Sequence, residues 1–159
     1  METIIEGKNG NSDQQQVVSF TLGKEMYGLE ISQVREINKL SEITRVPNMP
    51  GYVEGIVNLR GKIVPIIELR TRLGMQKKEY DKDTRIIVVE NDGRTSGFIV
   101  DTVSKVILIN QSAFDDSYVE GLGDKNKYIR SIAKLEDDIL ILLALNSLLV
   151  SDITIKRAS

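Results

Sequence analysis

Short bursts in which every second residue is apolar, each stopped by Gly, Asn, Asp or Lys, constrain this chain more than any other feature. Val18, Phe20 and Leu22 run up to Gly23-Lys24-Glu25, and Tyr27, Leu29 and Ile31 run on from it. A period of two puts alternate side chains on opposite faces of a strand, so two such bursts around a glycine turn predict a β-hairpin. Further bursts at Arg85 to Glu90, Gly97 to Val100, Lys105 to Ile109, Ile129 to Leu135 and Ile139 to Leu145 bring the expectation to about ten strands. Helical signals are short, at Pro50 to Glu54, at Leu69 to Leu73 before Gly74, and at Asn146 to Val150. The class is therefore mainly β, with a few short helices.

The bursts themselves repeat. A shift of 69 lays Ile87 on Val18, Val89 on Phe20, Gly97 on Gly28, Phe98 on Leu29, Val100 on Ile31, Val103 on Val34 and Val106 on Ile37. A shift of 76 lays Ile132 on Ile56, Leu135 on Leu59, Ile139 on Ile63, Leu145 on Leu69 and Leu149 on Leu73. The repeat predicts two five-stranded barrels of one plan, the first over about 15–75 and the second over about 82–145, with a longer loop at Ser112 to Lys127. Each half is too small to be stable alone, so the two are expected to pack together. Residues 1–14, without periodicity, are expected to be a mobile tail, and residues 146–159 a short helix and tail.

Composition removes whole classes of chemistry. The 159 residues contain no cysteine and no histidine, which excludes disulfides, thiolate nucleophiles and imidazole acid–base catalysis. The 23 acidic and 21 basic residues fall to 20 of each once Glu2, Glu6, Asp13 and Lys8 are set aside. An electrically neutral body does not track phosphates, so nucleic acid is not an expected partner. The longest apolar run, Ile139 to Leu145, is far short of the roughly 20 residues that cross a bilayer. The start of the chain lacks the pattern of a secretory signal, and with the lack of cysteine this points to the cytosol.

Known site motifs fail on spacing. Gly61-Lys62-Ile63 lacks the preceding glycine and following Ser/Thr of a phosphate loop, and Gly121-Leu122-Gly123 runs on to Asn126 where a dinucleotide site needs a third glycine. The pairs Asp81/Asp83, Asp115/Asp116 and Asp137/Asp138 sit in polar turns and lack calcium-loop spacing. No metal and no cofactor is implied, and an enzyme is not expected.

Attention moves to contact surfaces. In the segment Ile56 to Leu69, two apolar runs flank the turn Arg60-Gly61-Lys62, whereas the second half builds the equivalent turn from Glu136-Asp137-Asp138. The fold thus does not demand Arg60, and a guanidinium at a bend can reach a carboxylate or carbonyl of a partner. Val34-Arg35-Glu36-Ile37, its counterpart Val103-Ser104-Lys105-Val106, Thr44-Arg45-Val46-Pro47, and Val57-Asn58-Leu59-Arg60-Gly61 each alternate apolar residues with single polar ones. That pattern suits a modest interface with an apolar centre and polar rim, and equally an ordinary strand with an exposed face.

These residues also carry a resemblance. Phe20-Thr21-Leu22-Gly23, Tyr27-Gly28-Leu29-Glu30-Ile31, Val34-Arg35-Glu36-Ile37, Thr44-Arg45-Val46-Pro47 and Asn58-Leu59-Arg60-Gly61-Lys62-Ile63-Val64-Pro65 resemble the CheW family of bacterial chemotaxis coupling proteins. Gly97-Phe98-Ile99-Val100-Asp101-Thr102-Val103 and Asp138-Ile139-Leu140-Ile141-Leu142-Leu143 continue the likeness in order, so that it covers roughly residues 15–150. The resemblance implies two SH3-like five-stranded barrels packed together. It implies a cytoplasmic adaptor that links the tips of methyl-accepting chemotaxis receptors to the regulatory domain of the histidine kinase CheA, monomeric when free and near the membrane only through the receptors. By position, Val34, Glu36, Gly55, Arg60, Val103 and Val106 match places associated with partner binding, and Ile37 and Asn58 lie in the same patches. The segment Ala113 to Gly123 fits the family only loosely. The alternative reading is the coupling half of a CheV-like protein or a detached kinase regulatory module; 159 residues leave no room for a receiver domain beside the barrels.

Overall fold

The computed structural model describes residues 3–6, 13–120 and 127–149. Among these, β2 (Gln14–Leu22) and β3 (Glu25–Glu30) form the first hairpin, and a single 3₁₀ turn leads into β4 (Val34–Lys39). β5 (Val53–Leu59) and β6 (Lys62–Glu68) form the second hairpin, followed by α1 (Leu69–Arg72). The cycle then repeats with β7 (Arg85–Asn91), β8 (Arg94–Val100), β9 (Thr102–Asn110), the short β10 (Phe114–Asp115), α2 (Ser117–Glu120), β11 (Ile129–Lys134), β12 (Ile139–Leu143) and α3 (Leu145–Leu148). No helix among the described residues is long and apolar enough to cross a membrane.

Two sheets result, with strand orders β1-β9-β2-β3-β12-β11-β10 and β4-β7-β8-β6-β5, where β1 is Thr3–Glu6. Thr44 extends the second order by an isolated bridge to Ile56. Leaving β1 aside, the two orders match strand for strand under the shifts found in the sequence. Even the irregularities match, since the bulge between Val34 and Glu36 on β4 recurs opposite the Ser19/Phe20 step, between Val103 and Lys105 on β9. The fold is mainly β, two SH3-like units packed together.

The boundaries of the two units differ from those expected. Each unit is not a continuous half, because the hairpins are exchanged: β2–β3 sits in the sheet with β9 to β12, and β7–β8 sits with β4 to β6. The cause is connection length. To stay in its own sheet, β4 would have to run parallel to β3 and begin at the opposite end. Three residues reach only about 10 Å, whereas the return along a six-residue strand is about 20 Å. The chain must therefore carry β4 into the other sheet. Asp101, alone between β8 and β9, imposes the same step on the second half.

Three further expectations are adjusted. Pro50 to Glu54 is not a helix: Val53 N–H closes a turn onto the Pro50 carbonyl, and Val53 enters β5 as a core residue paired with Ile67. A single helical turn makes too few bonds to compete with that ladder. Thr3–Glu6, inside the segment expected as a tail, pairs in parallel with β9. The loop from Ser112 contains β10 and α2, while 121–126 and the tail from 150 onward lie outside the described residues.

Exchange produces three cores. Val17, Ile107, Ile109, Ala133, Leu140 and Leu142 fill one barrel, and Val64, Ile66, Ile86, Val88 and Ile99 fill the other. The largest cluster lies between them and takes Phe20, Leu22, Leu29 and Leu143 from one sheet, Ile67, Ile87, Val89, Phe98 and Val100 from the other, and Leu69, Leu145, Leu148 and Leu149 from α1, α3 and the residue after it. Full burial of one such side chain contributes about 2 kcal/mol, so the seam is as strong as either barrel. Arg72 ties it further, with its guanidinium 4.1 Å from the Tyr52 ring centroid and 5.1 Å from that of Tyr128, the residue equivalent to Tyr52.

Candidate functional site

The β5–β6 hairpin pairs Leu59 with Lys62 and leaves a two-residue loop, Arg60-Gly61. Both residues are left-handed, with φ of 53° and 82°, the combination whose twist suits a tight hairpin. Glycine adopts it freely, whereas a residue with a Cβ loses about 1 kcal/mol. Asn58 steadies the bend, its Oδ1 accepting from the Gly61 N–H at 2.8 Å. The equivalent β11–β12 turn closes differently, with Leu135 N–H donating to the Asp138 carbonyl at 2.9 Å and no left-handed residue from 135 to 138. The β7–β8 hairpin makes the same left-handed pair from Asp92 and Gly93, with φ of 52° and 76°, so the positive charge at Arg60 is not required to turn this hairpin.

Arg60 is 77% exposed, and its Nη1 donates to Glu36 Oε2 at 2.7 Å. The other oxygen of Glu36 accepts from Asn38 Nδ2 at 2.8 Å. The Asn38 amide and then the Arg60 guanidinium hold the Glu36 carboxyl below the usual carboxylate range. The β4 bulge turns Arg35 aside to Glu90, Nε to Oε1 3.1 Å, and Lys62 Nζ donates to Thr95 Oγ1 at 2.8 Å. Arg35, Arg60 and Lys62 thereby share one end of the five-stranded barrel. Solvent-facing pairs of this kind contribute about 0–1 kcal/mol to stability, so their consequence is orientation of the cations.

The remaining predicted residues separate into two groups. Val34 and Ile37 on β4 and Val103 on β9 are half-buried against the central cluster, flanking the seam from both sheets. Gly55 and Val106 are built into the fold. A Cβ on Gly55 would lie 2.2 Å from the Thr44 carbonyl oxygen, and Val106, 7% exposed, is paired with Val18 on one side and Thr3 on the other. Glu36, Asn58 and Arg60 are brought together. Asn38, Lys62 and Glu90 complete that cluster; Lys62 was noted from sequence only as part of the charged turn, and Asn38 was findable, since two residues along a strand from Glu36 it shares a face with it. No group of three or more His, Cys, Asp or Glu able to hold a metal occurs among the described residues. An open groove of ≈780 Å³ lies in the other barrel, lined by Thr21, Lys24, Glu25 and Met26 and by Lys134 to Ile139.

Known proteins resemble this chain in sequence and in fold. The family model for the CheW-like domain matches residues 16–152. The chain belongs to the CheW family. It is 35% identical to the chemotaxis protein CheW of Helicobacter pylori over 142 residues, covering 89% of this chain and 86% of that protein. It is likewise 35% identical to CheW of Klebsiella aerogenes, over 90% of this chain and 86% of that one. The crystal structure of the scaffolding protein TtCheW from Thermoanaerobacter tengcongensis superposes with a TM-score of 0.79 at 39% identity, covering 85% of this chain and 92% of that one. Family membership thus makes the chain a chemotaxis scaffold of the CheW type, and the exposed cluster around Arg60 is its candidate contact site.

Proposed function

We propose that this chain is a non-catalytic cytoplasmic adaptor that couples the cytoplasmic tips of chemoreceptors to the regulatory domain of the histidine kinase CheA. The observation that carries the reading is Arg60: an exposed cation presented at the tip of a tight hairpin, at a place where the sister barrel has acids. The seam between the barrels, flanked by Val34, Ile37 and Val103, offers an apolar seat for a helical hairpin such as a receptor tip. The Arg60 guanidinium, tied to Glu36 on the same strand as Val34 and Ile37, offers its free edge to a carboxylate or carbonyl. The kinase domain, itself built on the same barrel plan, docks barrel to barrel.

Titration calorimetry of the purified chain against a receptor-tip helical hairpin and, separately, against the kinase regulatory domain tests this. Arg60→Glu is expected to weaken at least one association by about tenfold, because a desolvated charged contact is inverted. Its melting temperature should stay within about 3 °C of the parent, since only a solvent-facing pair is lost. If both associations survive the reversal unchanged, Arg60 is not a contact residue.

A further inference from the structure

We infer that Asn38 is a positioning residue for the Arg60 contact: it fixes the Glu36 carboxylate, which in turn aims the Arg60 guanidinium at the partner. The inference rests on the adaptor reading above and names a part of the site that neither the repeat nor the family resemblance picks out. Its basis is a relay of two hydrogen bonds, Asn38 Nδ2 to Glu36 Oε1 at 2.8 Å and Arg60 Nη1 to Glu36 Oε2 at 2.7 Å. Each carboxylate oxygen thus has its own donor, and the plane of the carboxylate is set from behind by the amide. Without Asn38, Glu36 is a flexible side chain on an edge strand, and a guanidinium tethered to it wanders with it. Asn38 itself is well anchored, because it is short and its backbone pairs with Ile86 in the β4–β7 ladder.

Comparison with the sister barrel shows that the fold does not require an amide here. The position equivalent to Asn38 is Ile107, a fully buried core residue paired with Val17 just as Asn38 is paired with Ile86. The positions equivalent to Glu36 and Arg60 are Lys105 and Glu136, and no ion pair joins those two among the described residues. One barrel therefore fills a strand position with core isoleucine, and the other gives it to an amide that faces a carboxylate. Asn58 acts on the same turn from the other side, holding the Gly61 N–H at 2.8 Å, so backbone and guanidinium are fixed by separate asparagines. The other charged groups of this end are already engaged, Arg35 with Glu90 and Lys62 with Thr95, which leaves Asn38 and Arg60 as the groups that set the Glu36 carboxylate.

The decisive substitution is Asn38→Ile, which installs the sister barrel's residue, with Asn38→Ala beside it. Binding is read by calorimetry with the receptor-tip hairpin and the kinase regulatory domain, and the Glu36 carboxyl is titrated by carbon-13 NMR. Both variants should weaken the Arg60-dependent association about threefold, the effect of losing one hydrogen bond's worth of order. Both should move the Glu36 titration up toward the usual carboxylate range, while Asn38→Ile melts at or above the parent's temperature. A purely structural role for Asn38 would lower the melting temperature and leave the titration alone. Sensitivity to Arg60→Ala with indifference to both Asn38 variants, or an unmoved Glu36 titration, overturns the inference and leaves the adaptor reading standing. Indifference to Arg60→Ala overturns both together.

Discussion

Gly55→Ala separates contact from construction, because family position makes Gly55 a binding residue whereas its surroundings make it a packing one. The added Cβ would stand 2.2 Å from the Thr44 oxygen, 2.7 Å from Ile43 Cγ2 and 2.9 Å from the Thr44 carbonyl carbon, and backbone atoms cannot step aside as a side-chain tip can. Relieving the clash means parting the Thr44 segment from β5. That breaks the reciprocal bonds Thr44 N–H to the Ile56 carbonyl, 2.9 Å, and Ile56 N–H to the Thr44 carbonyl, 2.8 Å. Two backbone bonds at about 1 kcal/mol each, with about 1 kcal/mol for displaced packing around Ile43, give about 3 kcal/mol. For a domain of this size that lowers the melting temperature by about 6–12 °C. Circular dichroism melts measure the loss, and calorimetry at about 10 °C, where the variant remains folded on this estimate, measures partner affinity, expected to be near the parent's. A variant that melts like the parent yet no longer binds would refute the assignment of Gly55 to the fold.

Three further predictions concern two largely buried carboxyls. Arg70 grips Asp101 with Nε to Oδ1 at 2.9 Å and Nη2 to Oδ2 at 2.5 Å, and Gly23 N–H adds a bond of 2.7 Å. Burial pushes the Asp101 carboxyl up, but these donors outweigh it and hold it below the usual range. Its contribution is therefore complete above the titration range of an unfolded aspartate and is lost as pH falls through the depressed value. Asp101→Asn should lower stability at neutral pH and flatten the acid limb of a denaturant-midpoint against pH curve; an unchanged acid limb would contradict this. Glu68 shows the opposite sign: burial raises its pKa despite the Tyr80 hydroxyl at 2.5 Å and the Arg70 N–H at 3.1 Å. Stability should fall as pH rises from the usual carboxylate range through that raised value, and Glu68→Gln should abolish the slope. Tyr80→Phe should cost about 2 kcal/mol at neutral pH in the same midpoint assay, since a buried carboxylate loses a donor.

The strand pattern was legible because alternation is a property of side-chain faces: Val18 and Ile87, or Ile66 and Leu142, occupy matched buried positions in matched strands. Which hairpin joins which sheet was not, because β3 against β12 and β8 against β6 present the same parallel edge to the same kind of neighbour. The brevity of the Ile31–Gln33 and Asp101 links carries that information, through their reach rather than through their residues. Arg60 stood out by contrast with Glu136-Asp137-Asp138, and that contrast is now one of backbone conformation as well as charge. The relay through Glu36 to Asn38 depends on side-chain rotamers around a bulge, which no spacing rule encodes.

The central claim is that the chain bridges two partners, so the most direct measurement has three components. Receptor-tip hairpin is immobilised, kinase regulatory domain is added, and retention of the kinase domain is measured with and without this chain. The account predicts retention only when the chain is present, reduced by Arg60→Glu. A kinase domain left in solution at chain concentrations that saturate the receptor would contradict it.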